Sequence, residues 1–346
     1  MNYLAGQIQT PWKQPPSHGE ALEVVDGLFW IRLPLPMKLD HVNVYALDDG
    51  DGWTLIDTGI GSLETKEIWR VLLEGPLNRK PLKRVILTHH HPDHVGLAGW
   101  FQSDHGVEIW ATRTAYLMAR ILKLDISDEP SQETLKFWQR AGMDTKILAE
   151  RASGKTFNFA NTVSTLPLGY KRIGQDDVLN MGGRDWTVHI GNGHAPEHAT
   201  FWSHSDNLVI AGDQIISSIS PNLGVYVTEP EADPVGEWLE SCERLSRISN
   251  EQHVVFSGHK LPFSGLPLRY KQLIENHHSA LQRLLKFLDE PHSAAECFLA
   301  LFKRRIRKDE YGLALVESIG HLNNLFKEGK VHRTLDSNGV LRFQRA

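Results

Sequence analysis

The chain has 346 residues, 41 % of them hydrophobic and 23 % charged, a composition for about two packed domains rather than for a disordered, collagen-like or coiled-coil chain. A formal net charge of −5 argues against a basic coat for nucleic acid, and two cysteines exclude a disulfide framework or a thiolate zinc cluster. No charged segment precedes an apolar run at the N-terminus and no apolar stretch approaches the roughly 20 residues a bilayer needs, so a cytoplasmic protein with no membrane partner is expected.

Residues 1–21 read as an N-terminal extension, kept extended by Pro11, Pro15 and Pro16. Short strands follow at Leu28–Leu33, Val42–Leu47 and Trp53–Ile56, the last two joined through the turn Asp48–Gly52. Leu63, Ile68, Trp69 and Leu72 predict an amphipathic helix over 62–73. Val85–Leu87 is a buried strand that runs directly into a histidine cluster, and Val107–Trp110 is another strand. Residues 112–157 read as a helical insertion, with helices over 115–122 and 132–140 and with Pro130 and Gly142 as breaks. Its Trp, Leu and Met suit either a lid over an apolar cleft or ordinary core. Strand signals return at Trp186–Ile190, Leu208–Ala211 and Val254–Phe256. After Pro262 the text turns helical, over 268–287, 294–305 and 311–327, and ends in a hairpin of 330–335 and 340–344 around Asn338-Gly339. That order predicts a small α+β, winged-helix-like domain over 286–346 behind a main domain over 22–285.

The distinguishing number is 18 histidines. The run from His89 to His94 sets four metal-competent side chains, His89, His91, Asp93 and His94, directly after a buried strand. Imidazole nitrogen and carboxylate oxygen are donors that zinc, iron(II) and manganese accept. Alternation at a strand end points His89 and His91 toward one ion, leaves Asp93 and His94 for a second, and turns His90 away. Three further loops, Gly193-His194, Gly212-Asp213 and Gly258-His259, each place a ligand type behind a glycine that closes an apolar run. The conjunction of four strand-end loops carries the signal, not any one of them.

The pattern His-x-His-x-Asp-His at 89–94, followed in order by His194, Asp213 and His259 and preceded by Asp57-Thr58-Gly59, resembles the metallo-β-lactamase-fold hydrolases over about residues 22–285. The resemblance implies an α/β fold, an αββα sandwich of two mixed β-sheets face to face, with metals at one edge. It implies two divalent metal ions, zinc first and iron or manganese as the other choices. His89, His91 and His194 would bind one, Asp93, His94 and His259 the other, and Asp213 would bridge them. Asp57 would orient ligands by hydrogen bond. A two-metal site makes hydroxide available near neutral pH, and Asp93, a ligand, is also the expected catalytic proton acceptor. The ligand set contains no cysteine, which disfavours antibiotic hydrolysis and is similar to glyoxalase II-like thioesterases, lactonases and nucleases of the superfamily.

The expected function is a metal-dependent hydrolase acting on a thioester, lactone or similar ester of a small-molecule substrate. The alternative is a metal-dependent endoribonuclease or phosphodiesterase with RNA as its nucleic-acid partner. It draws on a tail similar to that of the mitochondrial β-lactamase-like endoribonuclease. Residues 286–346 hold 11 Lys/Arg against 8 Asp/Glu, including the basic run Lys303–Lys308, and this small surplus favours the small-molecule reading. Of the remaining polar residues, His198 reads as a supporting residue, and Glu197 stands where many superfamily members have glycine. Asp40, His41, His90 and Lys260 read as loop residues, and Tyr226 as packing with a sharper role as a donor to a substrate carbonyl.

Overall fold

The computed structural model describes residues 7–155 and 157–346. Residues 1–6 of the expected N-terminal extension and Thr156 of the expected insertion lie outside them. The chain forms two compact units. The first takes residues up to Ile126, then Asn158–Pro221 and Leu245–Arg269, and the second takes Ser127–Phe157, Asn222–Arg244 and Tyr270–Ala346.

The first unit holds two mixed sheets. One runs in sequence order through β1 (Ala21–Val25), β2 (Leu28–Pro34), β3 (His41–Asp48), β4 (Trp53–Ile56), β5 (Leu82–Ile86), β6 (Glu108–Ala111) and β7 (Lys171–Arg172). It is antiparallel as far as β4 and parallel from there. The other is built from β8 (Val178–Met181), β9 (Arg184–Gly191), β10 (His198–Ser203), β11 (Leu208–Gly212), β12 (Val254–Ser257) and β13 (Phe263–Ser264), with only β11 and β12 parallel. Leu28, Trp30, Tyr45 and Ile86 of the first sheet share one core with Trp186, Phe201, Ile210 and Phe256 of the second. Ile31, Leu33, Val42 and Val44 face the opposite way, into a core completed by Trp69 and Phe101. Strands covered on both faces lose polar alternation, so β3 is buried throughout except at Asp48. The two mixed sheets of this α/β fold are those expected.

Trp69 and Phe101 come from α1 (Leu63–Glu74) and α3 (Ala98–His105). Ser62 caps α1 by accepting the Thr65 N–H at 3.0 Å. The Trp69 indole N–H donates to the Thr58 carbonyl at 2.8 Å, tying the helix to the loop after β4. Between them lies α2 (Pro92–Val95), a single turn inside the histidine run where only a tight turn was expected. Pro92 sits at its start, the position where a missing N–H costs nothing. The parallel pairs β4–β5 and β11–β12 bring their carboxyl ends to common edges, and β9 runs in the direction of β11. The loops after these five strands carry Asp57, the 89–94 run, His194, Asp213 and His259.

The expected insertion divides between the units: α4 (Arg113–Leu124) belongs to the first, whereas α5 (Gln132–Arg140) and α6 (Thr145–Ala152) belong to the second. Two helices follow, α7 (Pro234–Ser246) and α8 (Leu266–Phe287), of which α7 was not foreseen. The single helix expected over 294–305 is broken. A 3-10 turn, Ala295–Cys297, leads into α9 (Phe298–Phe302), which ends where Lys303 turns left-handed at φ 57. The basic run from Lys303 therefore lies beyond a helix end. Next come α10 (Tyr311–Lys327) and the hairpin of β14 (Val331–Leu335) and β15 (Leu341–Arg345), a small α+β C-terminal domain. Cys242 and Cys297 are buried and in no disulfide, and no helix among the described residues is long and apolar enough to cross a membrane.

Candidate metal centre

Seven side chains from four loops converge in the first unit. His91 Nδ1 stands 3.0 Å from His89 Nε2 and 3.0 Å from His194 Nε2, so three ring nitrogens share one point. On the other side Asp93, His94 and His259 form a second such group. Asp93 Oδ2 lies 3.5 Å from His259 Nε2 and 3.7 Å from His94 Nε2. Asp213 lies between the groups, with Oδ2 at 3.1 Å from His259 Nε2 and 3.5 Å from His194 Nε2, and with Oδ1 at 3.5 Å from His94 Nε2. Both His94 Nε2 and Asp213 Oδ1 are buried and have no hydrogen-bond partner. Orphaned polar atoms facing one another are costly unless something satisfies them. Metal–nitrogen bonds of ~2.0–2.1 Å place adjacent donor atoms roughly 3 Å apart, so the donor set fits divalent cations.

The candidate ligands are aimed by neighbours outside the cluster. Asp57, left-handed at φ 62, accepts the Thr88 N–H on Oδ1 at 2.8 Å and the Thr88 hydroxyl on Oδ2 at 2.7 Å. The same Oδ2 meets His94 Nδ1 at 2.7 Å, which leaves Nε2 pointing at the cluster. His259 is oriented likewise through Nδ1, bonded to the His41 carbonyl at 2.7 Å. The His259 loop is pinned from β3: the Asn43 amide donates to Ser257 and Lys260 carbonyls at 3.0 and 2.7 Å, and the Tyr45 hydroxyl donates to Ser257 at 2.7 Å. Two glycines are required by space. A Cβ on Gly258 would stand 2.2 Å from Asp213 Oδ1, and one on Gly212, at φ +48, would stand 2.6 Å from His198 Cε1. His198 fills that space, stacked on His89 with ring centroids 4.6 Å apart and accepting the Asp213 N–H on Nε2 at 3.1 Å.

Electrostatics divide the cluster. Burial, with neighbouring imidazoles adding to it, holds His89 and His91 well below the ordinary histidine range, so both rings are neutral and could offer a nitrogen lone pair to a cation. Burial acts the same way on His94, yet the carboxylates of Asp213, Asp93 and Asp57 overcome it and raise the group well above its usual value. His259 is also opposed by burial and is carried up to about 10, mainly by Asp213. Asp213 is the complement: burial works against its charge, and His259 and His94 hold it well below the carboxylate range.

Each expected ligand is thus in the cluster, and Asp57 and His198 brace it. His90 lies in the loop after β5 as expected, and is buried there. His41, expected as a solvated loop residue, is a correction. It is 6 % exposed, accepts the Lys260 N–H on Nε2 at 2.9 Å, and is depressed to about 4 by burial. Lys260 itself is left-handed at φ 65 and contributes through its backbone. Glu197 stands at φ 48, a conformation suited to glycine, and compensates by accepting the Thr114 N–H at 2.6 Å at the start of α4. Tyr226 belongs to the second unit and is half exposed. His41, Asn43 and Thr88 were missed as supports. The one available signal was an unusually polar start to an otherwise apolar strand at His41–Asn43.

Residues 37–259 match the family model described as Metallo-beta-lactamase superfamily, and residues 281–346 match that described as Metallo-beta-lactamase-like, C-terminal domain. Among curated proteins, the chain is similar to Probable metallo-hydrolase YqjP of Bacillus subtilis, 28 % identical over 322 residues, covering 90 % of this chain and 95 % of the relative. It is also similar to Hydroxyacylglutathione hydrolase GloC of Haemophilus influenzae, 27 % identical over 214 residues, or 61 % of this chain and 82 % of that one. Of solved structures, a Beta-lactamase domain protein from Burkholderia ambifaria superposes with a TM-score of 0.89 at 32 % identity, covering 98 % of both chains. A metallo-beta-lactamase family protein from Thermus thermophilus gives 0.77 at 26 % identity over 93 % of this chain and 100 % of that one.

Proposed function

The chain belongs to the metallo-beta-lactamase superfamily, and on that premise we propose that this metallo-hydrolase cleaves a thioester, lactone or similar activated ester of a small molecule, using two divalent ions, zinc first. The observation that carries the reading is the convergence of seven His and Asp donors, with Asp213 within 3.5 Å of ligands on both sides. His89, His91 and His194 would hold one ion, Asp93, His94 and His259 the other, and Asp213 would serve both. Bound there, the ions would supply Lewis acidity toward the substrate carbonyl and an acidified water near neutral pH.

The chain's own residues do the rest. Asp57 and the His41 carbonyl fix His94 and His259 through their Nδ1 atoms, so that each presents Nε2. Asp93 is the expected catalytic residue: its Oδ2, near His259 Nε2 at 3.5 Å, is the carboxylate that would take the proton of the attacking water. The similarity to a hydroxyacylglutathione hydrolase supports a thioester among the candidate bonds.

The C-terminal basic run gives little support to an RNA footprint. Arg304 pairs with Glu310 at 2.6 Å, Arg307 with Asp309 at 2.7 Å and Lys308 with Glu150 at 2.5 Å, so half of its six positions are already neutralised. A panel of one thioester, one lactone and one phosphodiester, run on metal-loaded protein, tests the reading. Metal-dependent turnover of an ester-type substrate is expected, insensitive to added salt. Cleavage of the phosphodiester alone, with steep salt dependence of binding, would replace it with the nuclease reading.

A further inference from the structure

We propose that the second unit carries a binding site for an amphiphilic monoanion, an apolar chain that ends in a single carboxylate. The unit contains a cavity of about 290 Å³, near the lower end of the range for ligand pockets. Its apolar surface is supplied by Phe137, Ala141, Val227, Ile319, Leu341 and Phe343. These come from α5, the segment before α7, α10 and the terminal hairpin, all within the one unit. None belongs to the metal cluster.

The rim sets the charge of the occupant. Lys136 and Arg140 lie four residues apart on α5, on the face that also carries Phe137 and Ala141. Both are exposed, and neither forms an ion pair among the described residues. The third cation, Arg333, is already engaged: it pairs with Glu231 at 3.0 Å, and its guanidinium lies 4.4 Å over the Phe326 ring. Glu133 is the remaining rim carboxylate, so the unengaged charge at the mouth sums to one positive. A single carboxylate matches that, with its chain on the apolar wall, whereas a polyanion would meet too few donors.

The walls are braced, which favours a preformed site. Gly142 ends α5 at φ +75, and a Cβ there would stand 2.4 Å from Ser293 Oγ, so the helix end abuts that residue directly. The Ala295 N–H donates to the Ala141 carbonyl at 3.1 Å. Asn323 on α10 donates to Pro230 and Ala232 carbonyls at 3.0 and 2.9 Å, which holds the facing segment.

The test is calorimetric titration of the metal-loaded full chain with decanoate, with decanol as the uncharged comparison. Saturable binding of one decanoate per chain is expected, with decanol weaker by about tenfold and Arg140→Glu weakening decanoate by about tenfold or more. Val227→Trp, which fills the cavity, should abolish binding, while circular dichroism of both variants stays that of the parent. Asp213→Ala, which disables the metal centre, should bind decanoate as the parent does. The proposal is overturned if decanoate does not saturate, if Arg140→Glu leaves its affinity unchanged, or if binding disappears in Asp213→Ala.

Discussion

His94 Nδ1 and Asp57 Oδ2 lie 2.7 Å apart, both buried, and that contact decides which ring nitrogen of His94 faces the His/Asp cluster. Asp57→Asn replaces an acceptor of three contacts by a group with one acceptor and one donor. Losses of about 10–100-fold in metal affinity or activity are expected for partners of this kind. Titrating the variant with zinc while following turnover checks it, and parent-like affinity would remove Asp57 from the orienting role.

Gly258 and Asp213 give a steric prediction. Gly258→Ala puts a methyl 2.2 Å from Asp213 Oδ1 and 2.7 Å from His94 Cε1, so one of those side chains must leave its place. Metal content and activity should fall together while the far-ultraviolet spectrum is kept. Full metal content in the variant would show that the loop yields instead.

Replacing His89 by alanine should remove most bound metal and nearly all hydrolysis, because its Nε2 shares the point occupied by His91 and His194. Elemental analysis of the parent and the variant, both purified without chelator, checks this. Two ions per chain in the variant would contradict the ligand assignment.

A buried histidine pair in the second unit makes stability depend on pH. His277 Nδ1 lies 3.3 Å from His321 Nε2, with the rings stacked at 5.4 Å. Burial, reinforced by His321, pushes His277 down to about 3, and burial pushes His321 down to about 4. The folded state therefore keeps both neutral while the unfolded chain takes up protons below about 6.5. Stability is full above that pH and falls as the pH drops toward 4, by an amount on the order of a few kcal/mol. His277→Phe should flatten the denaturant midpoint between pH 6.5 and 4.5 relative to the parent; an identical slope would dismiss the pair as its source.

Glu197 separates backbone strain from helix capping. Glu197→Ala keeps a side chain at φ 48 and loses the bond to the Thr114 N–H, so a loss of about 1–2 kcal/mol is expected. Glu197→Gly loses the same bond but relieves the strain, and should stay within about 1 kcal/mol of the parent. Thermal or urea unfolding of the metal-loaded variants ranks them, and the reverse order would refute the account.

The candidate His/Asp cluster was legible because its signals are local. A ligand type behind a glycine at the end of an apolar run can be recognised one loop at a time, and His89 to His94 needs only six neighbouring positions. The sheets were legible where apolar runs were continuous. Strand β10, with His198 at its start, and the helix α7 were not, because their patterns are weak without the neighbours that bury them. The helix expected over 294–305 failed where Lys303 turns left-handed, a backbone choice that side-chain periodicity does not record.

Chain chemistry alone thus determined the donor types, their order and the strands that carry them. Only the folded arrangement decided how they are aimed. His259 takes its orientation from a carbonyl 218 residues away, and the loop that bears it is held by Asn43 from the facing sheet. Such hydrogen bonds form between backbone groups that every residue possesses, so nothing in the side-chain text marks them until two sheets meet.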